Sequence, residues 1–399
     1  MTGTHAAHEA VPRADRADPN SLDALIAAGE RRTDSTSVPH ATEIVHEIPV
    51  YDGAEVERLA RDAERAETLL DEWRETLARG AGVLAIRRAI ADTVMLDEVT
   101  ALFERIMVEE AGAGSDHFAP AGANTRIWNA HEKLAVRAPA LFLRYNASVS
   151  IALASRAWLG PDYQVTAQVN VVKPGGAAQT PHRDYHLGFM EPDRLARYPA
   201  QVHALSPYLT LQGAIAHSDM PLESGPTQLL PFSQSWPPGY AASVRDDVRA
   251  HFAARHVQLA LGKGDMLFFS PALLHAAGDN RTADLRRVAN LLQVSSAFGR
   301  AMEIVDRARL CRAIYPELLR ATRDGELDGM PFDEIARDAV VAASAEGYPF
   351  PANLEIAWPE GGLRPPAQRD LLVTALDGRH PPERFAETLD AHVARQRSH

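Results

Sequence analysis

The sequence predicts one β-rich, jelly-roll-like core carried between helical flanks. Three observations point to it. Runs with strand periodicity are concentrated between about residues 164 and 294, helical periodicity dominates on either side, and the two segments richest in metal-ligand chemistry both follow strands. At 399 residues the chain exceeds a usual single domain, yet its strand-bearing region supports only one such core.

Residues 1 to about 45 are rich in Ala, His, Asp, Arg, Ser and Thr without a period, and are expected to form a flexible arm with a short helix near Ser21 to Ala28. The next expected unit is a core domain over 46–300. It opens with helices: Val56, Leu59, Ala63, Leu70, Trp73 and Leu77 suggest one, Met95, Val99, Leu102, Phe103 and Ile106 line one face of another, and Leu134 to Trp158 suggests a third. Gln164 to Val171 then alternates strictly, with Val165, Ala167, Val169 and Val171 apolar, which reads as a half-buried strand ended by Pro174, Gly175 and Gly176. Tyr208 to Ala216 alternates more loosely, Met266 to Phe269 is a short apolar run after the Gly262 to Asp265 turn, and Val288 to Val294 forms a further strand. After Ser296 the pattern is helical over Ile304 to Leu319, Phe332 to Ala345 and Pro382 to Arg395, so 301–399 is expected to be a helical extension that could cap the barrel, pad the sheet or support a homodimer.

Composition narrows the partners. A net charge of −12 disfavours nucleic-acid and anionic-membrane surfaces, which need basic patches. No apolar run approaches the ~20 residues of a membrane span, and the N-terminus lacks a signal-peptide apolar region. Cys311 is the only cysteine, which excludes multi-thiolate zinc sites and intrachain disulfides and makes a reducing cytoplasm the expected location.

The chemistry lies in Gln179-Thr180-Pro181-His182-Arg183-Asp184-Tyr185-His186 and in the segment from His275 to Arg286. His182, Asp184 and His275 form the ligand set of a 2-His-1-carboxylate triad, which occupies one face of Fe(II) and leaves the opposite positions open. One His-x-Asp is about what chance provides, and the chain has a second in His217-x-Asp219. Context separates them. His182 follows a turn leaving a strand, where ligands are commonly mounted, whereas His217 and Asp219 precede a turn-rich stretch where Asp bonds local backbone.

Gly264-Asp265, Phe268-Phe269-x-Pro271 and His275-x-x-Gly278-x-Asn280-x-Thr282-x-x-x-Arg286 resemble the phytanoyl-CoA dioxygenase family, as do Lys173-Pro174 before His182-x-Asp184 and Glu223-Ser224-Gly225-Pro226 before Leu230-Pro231. That family belongs to the Fe(II)- and 2-oxoglutarate-dependent oxygenases with a double-stranded β-helix core. The resemblance is specific from about Gln164 to Val294 and weaker between Val83 and Arg126. It implies that His182, Asp184 and His275 bind iron, that Arg286 pairs with the far carboxylate of 2-oxoglutarate, and that O2 is the co-oxidant. Arg287 is expected on the opposite strand face. Arg126 and Gln179 are the nearest candidates for further co-substrate contacts, and Trp128, Tyr185 and His186 for substrate contacts. Ala277 stands where some relatives have Ser, removing one hydrogen bond.

The implied reaction oxidises a C–H bond of a small-molecule metabolite, with 2-oxoglutarate converted to succinate and CO2. Halogenation is disfavoured because Asp184 is present. The acyl-CoA substrate of the namesake is not carried over, since no basic cluster adjoins the motifs. Two alternatives stand beside this reading. A cupin-like isomerase or hydrolase would keep the triad without needing the arginine, and a non-catalytic ligand-binding barrel would have lost a metal ligand.

Overall fold

The computed structural model describes residues 21–110, 124–184, 187, 190–237, 242–359 and 362–397. Its centre is an eight-stranded sheet whose strands in chain order are β1 (Glu43–Val45), β2 (Ile48–Asp52), β3 (Val83–Arg87), β4 (Asn124–Ile127), β5 (Gln164–Val172), β6 (Thr210–Ala216), β9 (Met266–Phe269) and β11 (Arg287–Ser295). In space they run β1-β2-β3-β9-β6-β11-β5-β4, and every pairing except β2 with β3 is antiparallel. A smaller sheet combines β7 (Gln228–Leu229), β8 (Val257–Gln258) and β10 (His275–Ala276), in the order β10-β7-β8. His182 extends it by an antiparallel bridge to His275, with both backbone N–H···O bonds made at 3.0 and 3.1 Å. Strands from distant parts of the chain alternate between the two sheets, as in the expected jelly roll.

Period-two alternation assigns the two faces of the large sheet. Val165, Ala167, Val169 and Val171 of β5, Leu211 and Ile215 of β6, and Val288, Leu292 and Val294 of β11 face outward into a helical layer. The same buried cluster includes Trp73 of α3 (Ala63–Ala78), Phe103 of α4 (Thr93–Glu109), Leu134 of α5 (Ala130–Arg137), Phe142 of α6 (Pro139–Asn146) and Ile151 of α7 (Val149–Leu159). On the inner face, Val83, Leu267, Phe269 and Leu229 belong to a second apolar cluster.

Local chemistry subdivides the helices. The region from Val56 to Leu77, expected as one helix, is two: α2 (Gly53–Ala60) ends, and Asp62 caps α3 by accepting from the Arg65 N–H. The region from Leu134 to Trp158 is three, because Pro139 cannot continue α5 and instead opens α6. The C-terminal helices Arg307–Asp324 and Glu334–Ser344 do not form a separate unit, since Leu310, Ile314, Val340 and Val341 join the cluster that covers the large sheet.

Residues 21–45 are not the expected mobile arm. The helix near Ser21 is present as α1 (Leu22–Gly29), capped by the Ser21 side chain. Leu25 is completely buried among Leu230, Trp236 and Phe252, and β1 joins the large sheet. Residues 1–20 lie outside the described residues. Among the described residues no helix is long and apolar enough to cross a membrane.

The second His-x-Asp is structural. His217 is buried on the helix side of the sheet, where Nε2 meets Tyr145 Oη at 2.7 Å and Nδ1 meets Thr100 Oγ1 at 2.9 Å. Asn290 Nδ2 donates to the same Tyr145 oxygen at 2.9 Å. Asp219 accepts from the Lys263 backbone N–H at 2.9 Å, a partner 44 residues away and not the local backbone expected of a turn residue.

Two expectations follow. Leu25→Ala should lower the unfolding free energy by about 2–5 kcal/mol in a urea melt, whereas removal from a mobile arm would change nothing. Burial pushes the His217 pKa down to about 3, so its contribution to stability is complete above the ordinary imidazole value of about 6.5 and is lost as pH falls toward the lowered one. The stability advantage of the wild type over His217→Gln should therefore shrink between about pH 7.5 and about pH 5.5; an advantage independent of pH would contradict neutral burial.

Candidate metal centre

His182, Asp184 and His275 converge where the two sheets face each other, with one ligand atom from each lying within 4.8 Å of the others. Different elements deliver them. Gly264 takes a positive φ of 91°, and the following Asp265 carboxylate locks the turn by accepting from Gly262 N–H at 2.8 Å, Arg88 N–H at 2.8 Å and Arg87 Nη1 at 2.7 Å. That turn launches β9, whose continuation brings His275 into β10. On the other segment, Arg183 is buried behind the site and donates to the carbonyl oxygens of Ser233 and Trp236. This anchors the loop on the residue between the two ligands and leaves their side chains facing the cavity.

Backbone carbonyls fix the orientation of both imidazoles. His182 Nδ1 lies 2.8 Å from Thr180 O, and His275 Nδ1 lies 2.9 Å from Leu273 O. A carbonyl only accepts, so each Nδ1 carries the proton and each Nε2 presents a lone pair. The two Nε2 atoms lie 3.6 and 3.5 Å from the two oxygens of Asp184. Burial, and then the neighbouring His275, lower the His182 pKa and favour the neutral, ligating form. Burial opposes ionisation of Asp184, but the Gln212 hydrogen bond favours the carboxylate and a proton entering the cluster goes to an adjacent imidazole first, which holds this carboxyl below the usual carboxylate range. Gln212 Nε2 donates to Asp184 Oδ2 at 2.5 Å.

A cavity of about 500 Å³ adjoins the three residues. Its floor is the inner face of β5, β6 and β11, and the polar half of the alternation seen in the sequence points into it: Gln168, Asn170, Gln212 and Gln293. Arg287 lines it as well, in phase with Ala289, Leu291 and Gln293.

This corrects the placement of Arg286. Its side chain is half-exposed and pairs with Glu104 of α4 at 3.1 Å, outside the cavity. Arg287 is buried, with Nη1 donating to Ser224 O at 2.8 Å and Gly278 O at 3.4 Å. The reason is register: β11 pairs Arg287 with Val172 and Ala289 with Asn170, which puts odd-numbered residues of β11 on the cavity face. Asn280 fixes that register by donating to Val172 O and Leu285 O while its Oδ1 accepts from Thr282. Gly225 serves the same end. Its φ is +70°, and a Cβ there would come within 2.3 Å of Asp279 O, so only glycine lets the Ser224 and Gly278 carbonyls approach Arg287 together.

The other expected site residues divide. Arg126 lines the cavity and donates from Nη1 to Gln168 Oε1 at 2.9 Å. Gln179 lines it too and clasps Ala277, with Oε1 accepting from the Ala277 N–H at 3.2 Å. Trp128 is not among the lining residues; its ring lies under the Arg126 guanidinium at 5.3 Å. Tyr185 and His186 lie outside the described residues. Gln168, Gln212, Gln293 and Met302 are cavity residues that the motif reading did not single out. The alternation of β5 already marked Gln168 as facing away from the apolar side, but sequence alone could not tell a cavity from solvent.

The phytanoyl-CoA dioxygenase (PhyH) family model matches residues 78–288, more than half of the chain. The protein belongs to the PhyH family. Among characterised relatives it is 27% identical over 132 residues to Dioxygenase trt7 of Aspergillus terreus (strain NIH 2624 / FGSC A1156), covering 33% of this chain and 41% of that protein. It is 29% identical over 119 residues to Dioxygenase andF of Emericella variicolor, covering 29% and 35%. The matched segment thus spans less than half the length of either relative. Similar solved structures include the non-heme alpha ketoglutarate dependent carbocyclase SnoK from nogalamycin biosynthesis, at 20% identity over 62% of this chain and 92% of that one with a TM-score of 0.44. The epimerase SnoN of the same biosynthesis matches at 18% identity over 61% and 84%, with a TM-score of 0.40.

Loss of a group that orients a metal ligand typically weakens metal binding by about 10- to 100-fold. Gln212→Leu in this PhyH protein should show a loss of that order for Fe(II) in competition with a colorimetric chelator, and Asp184→Ala should bind no ion at this site. Unchanged affinity in both variants would move the metal elsewhere.

Proposed function

We propose that this protein is an Fe(II)- and 2-oxoglutarate-dependent dioxygenase that oxidises a C–H bond of a small-molecule metabolite. The observation that carries this reading is the pairing of an open three-ligand cluster with a buried guanidinium on one cavity wall. The donor set suits Fe(II): two imidazoles and one carboxylate, with no fourth protein ligand among the described residues to close the site. Arg287 suits a dicarboxylate. Burial lowers its pKa only to about 10, so it stays charged at neutral pH, and a fork of N–H donors gives a carboxylate direction as well as attraction.

When bound, iron with 2-oxoglutarate and O2 supplies the oxidative decarboxylation that yields succinate and CO2 and drives C–H oxidation. The protein's own contribution is placement. His182, Asp184 and His275 would hold the metal, Arg287 would take the far carboxylate of 2-oxoglutarate, and small residues Ala277 and Ala289 leave room between them. Phe269 packs edge-on against the His275 ring at 4.8 Å and keeps water from that side. Hydroxylation, desaturation and ring closure need no different ligands. A triad enzyme without 2-oxoglutarate has no use for a charged group that is costly to bury, which places Arg287 against the cupin-like alternative. The buried, unpaired Cys311 suits the reducing cytoplasm.

The deciding measurement is an anaerobic titration with Fe(II) and then 2-oxoglutarate, followed through the weak visible charge-transfer band of a chelated keto acid. The band should form in the wild type. In Arg287→Ala the 2-oxoglutarate requirement should rise by about 30-fold or more, the equivalent of about 2 kcal/mol, with Fe(II) binding retained, while Arg286→Ala should behave as wild type. Iron binding without a band would favour the cupin-like reading, and a defect in Arg286→Ala alone would return the anchor to that residue.

A further inference from the structure

Resting on the metal and co-substrate reading above, we propose that the end of the cavity remote from Arg287 is a subsite for a polyhydroxylated small molecule, a sugar ring or a comparably oxygenated skeleton, and that Gln293 determines this specificity. Strand β11 separates the two ends. Arg287 and Gln293 face the same side six residues apart, roughly 20 Å along an extended strand. The Arg287 end is flanked by the small residues Ala277 and Ala289, which leave room for a short diacid. The Gln293 end carries amides. Gln293 lies directly across from Gln212 of β6 and Thr166 of β5, with Gln168 two residues further along β5 on the same face. Because Gln212 holds Asp184, this end borders the metal, where the oxidised carbon must lie.

The amides are poised as acceptors. Gln212 and Gln293 are 3% and 7% exposed, and the side-chain oxygen of each has no hydrogen-bond partner among the described residues. Gln168 gives its oxygen to Arg126 and its Nε2 to the Met302 sulfur at 3.3 Å, a weak acceptor that a ligand oxygen can replace. Leaving a buried acceptor unmet costs about 1–3 kcal/mol, so an alkyl chain at this end is penalised at each amide. A hydroxyl donates and accepts, and serves either end of an amide. Leu291 and Met302 supply apolar surface for the faces of a ring. Arg126 is engaged by Gln168 and lies over Trp128, and among the described residues no other Lys or Arg lines this end for a phosphate or acyl-carrier tail.

The test compares two probe sets at matched millimolar concentration: methyl glucoside, myo-inositol and p-nitrophenyl glucoside against decanoate and decanol. Two readouts are taken, the melting temperature of the protein without added iron, and 2-oxoglutarate-dependent succinate release by the iron-loaded protein. The hydroxylated set should raise the melting temperature and stimulate succinate release, the alkyl set should do neither, and Gln293→Met, which keeps length and loses the hydrogen bonds, should weaken the hydroxylated response at least tenfold. In that variant the charge-transfer band with 2-oxoglutarate should persist, because Arg287 is untouched. If Gln293→Met fails to fold, Gln293→Leu replaces it. Preference for the alkyl set, silence toward both sets, or an undiminished response in the variant overturns the proposal while the band still stands. Absence of the band in the wild type overturns the co-substrate reading instead, and the melting shifts judge the subsite independently.

Discussion

The antiparallel register of β11 between β5 and β6 is the constraint on which the rest of the molecule depends. Side chains on paired strands alternate with a period of two, so one register decides at once which residues meet the helices and which meet the cavity. In the observed register Val288, Leu292 and Val294 join Val165, Val169 and Leu211 against the helical layer, and Arg287, Leu291 and Gln293 join Gln168 and Gln212 inside. A slip of one residue would drive the guanidinium of Arg287 into the apolar helix interface and expose valines to the cavity, a change that burial energies forbid.

Several residues that stand out as motif positions serve that register rather than the chemistry. Asp265 closes the turn before β9, Asn280 ties the turn before β11 to the carbonyl of Val172, and Gly225 permits a backbone approach that brings two carbonyls to Arg287. Arg183, between the two first-segment ligands, is spent on the Ser233 and Trp236 carbonyls. Each satisfies buried backbone groups that a loop would otherwise leave unpaired, and each thereby fixes a ligand-bearing segment.

The centre itself is electrostatically self-consistent. Protonated Nδ1 atoms are held by carbonyls, Nε2 lone pairs face inward, and Asp184, with Gln212 as its donor, is held below the usual carboxylate range. The buried His217 shows the opposite use of the same residue type: bonded to Tyr145 and Thr100, with Asn290 on the same Tyr145 oxygen, it is neutral and structural and belongs to no metal-ligand cluster among the described residues.

Much of this was legible in the sequence. The alternation of β5 predicted its two faces, the paired His-x-Asp and distal His marked three side chains that the fold brings together, and the turn residues bounded the strands. Two things were not. What the amides of Gln168, Gln212 and Gln293 face was not legible, because a polar residue pointing away from one core looks the same whether it meets water or a second sheet. Arg286 and Arg287 are adjacent, and the run from Val288 to Val294 is apolar on both faces in part, so parity could not be counted from sequence. Only the pairing of Arg287 with Val172, set by hydrogen bonds between strands more than a hundred residues apart, decided which guanidinium enters the cavity. Composition and local periodicity determine which surfaces are apolar; the tertiary register decides what each polar surface faces.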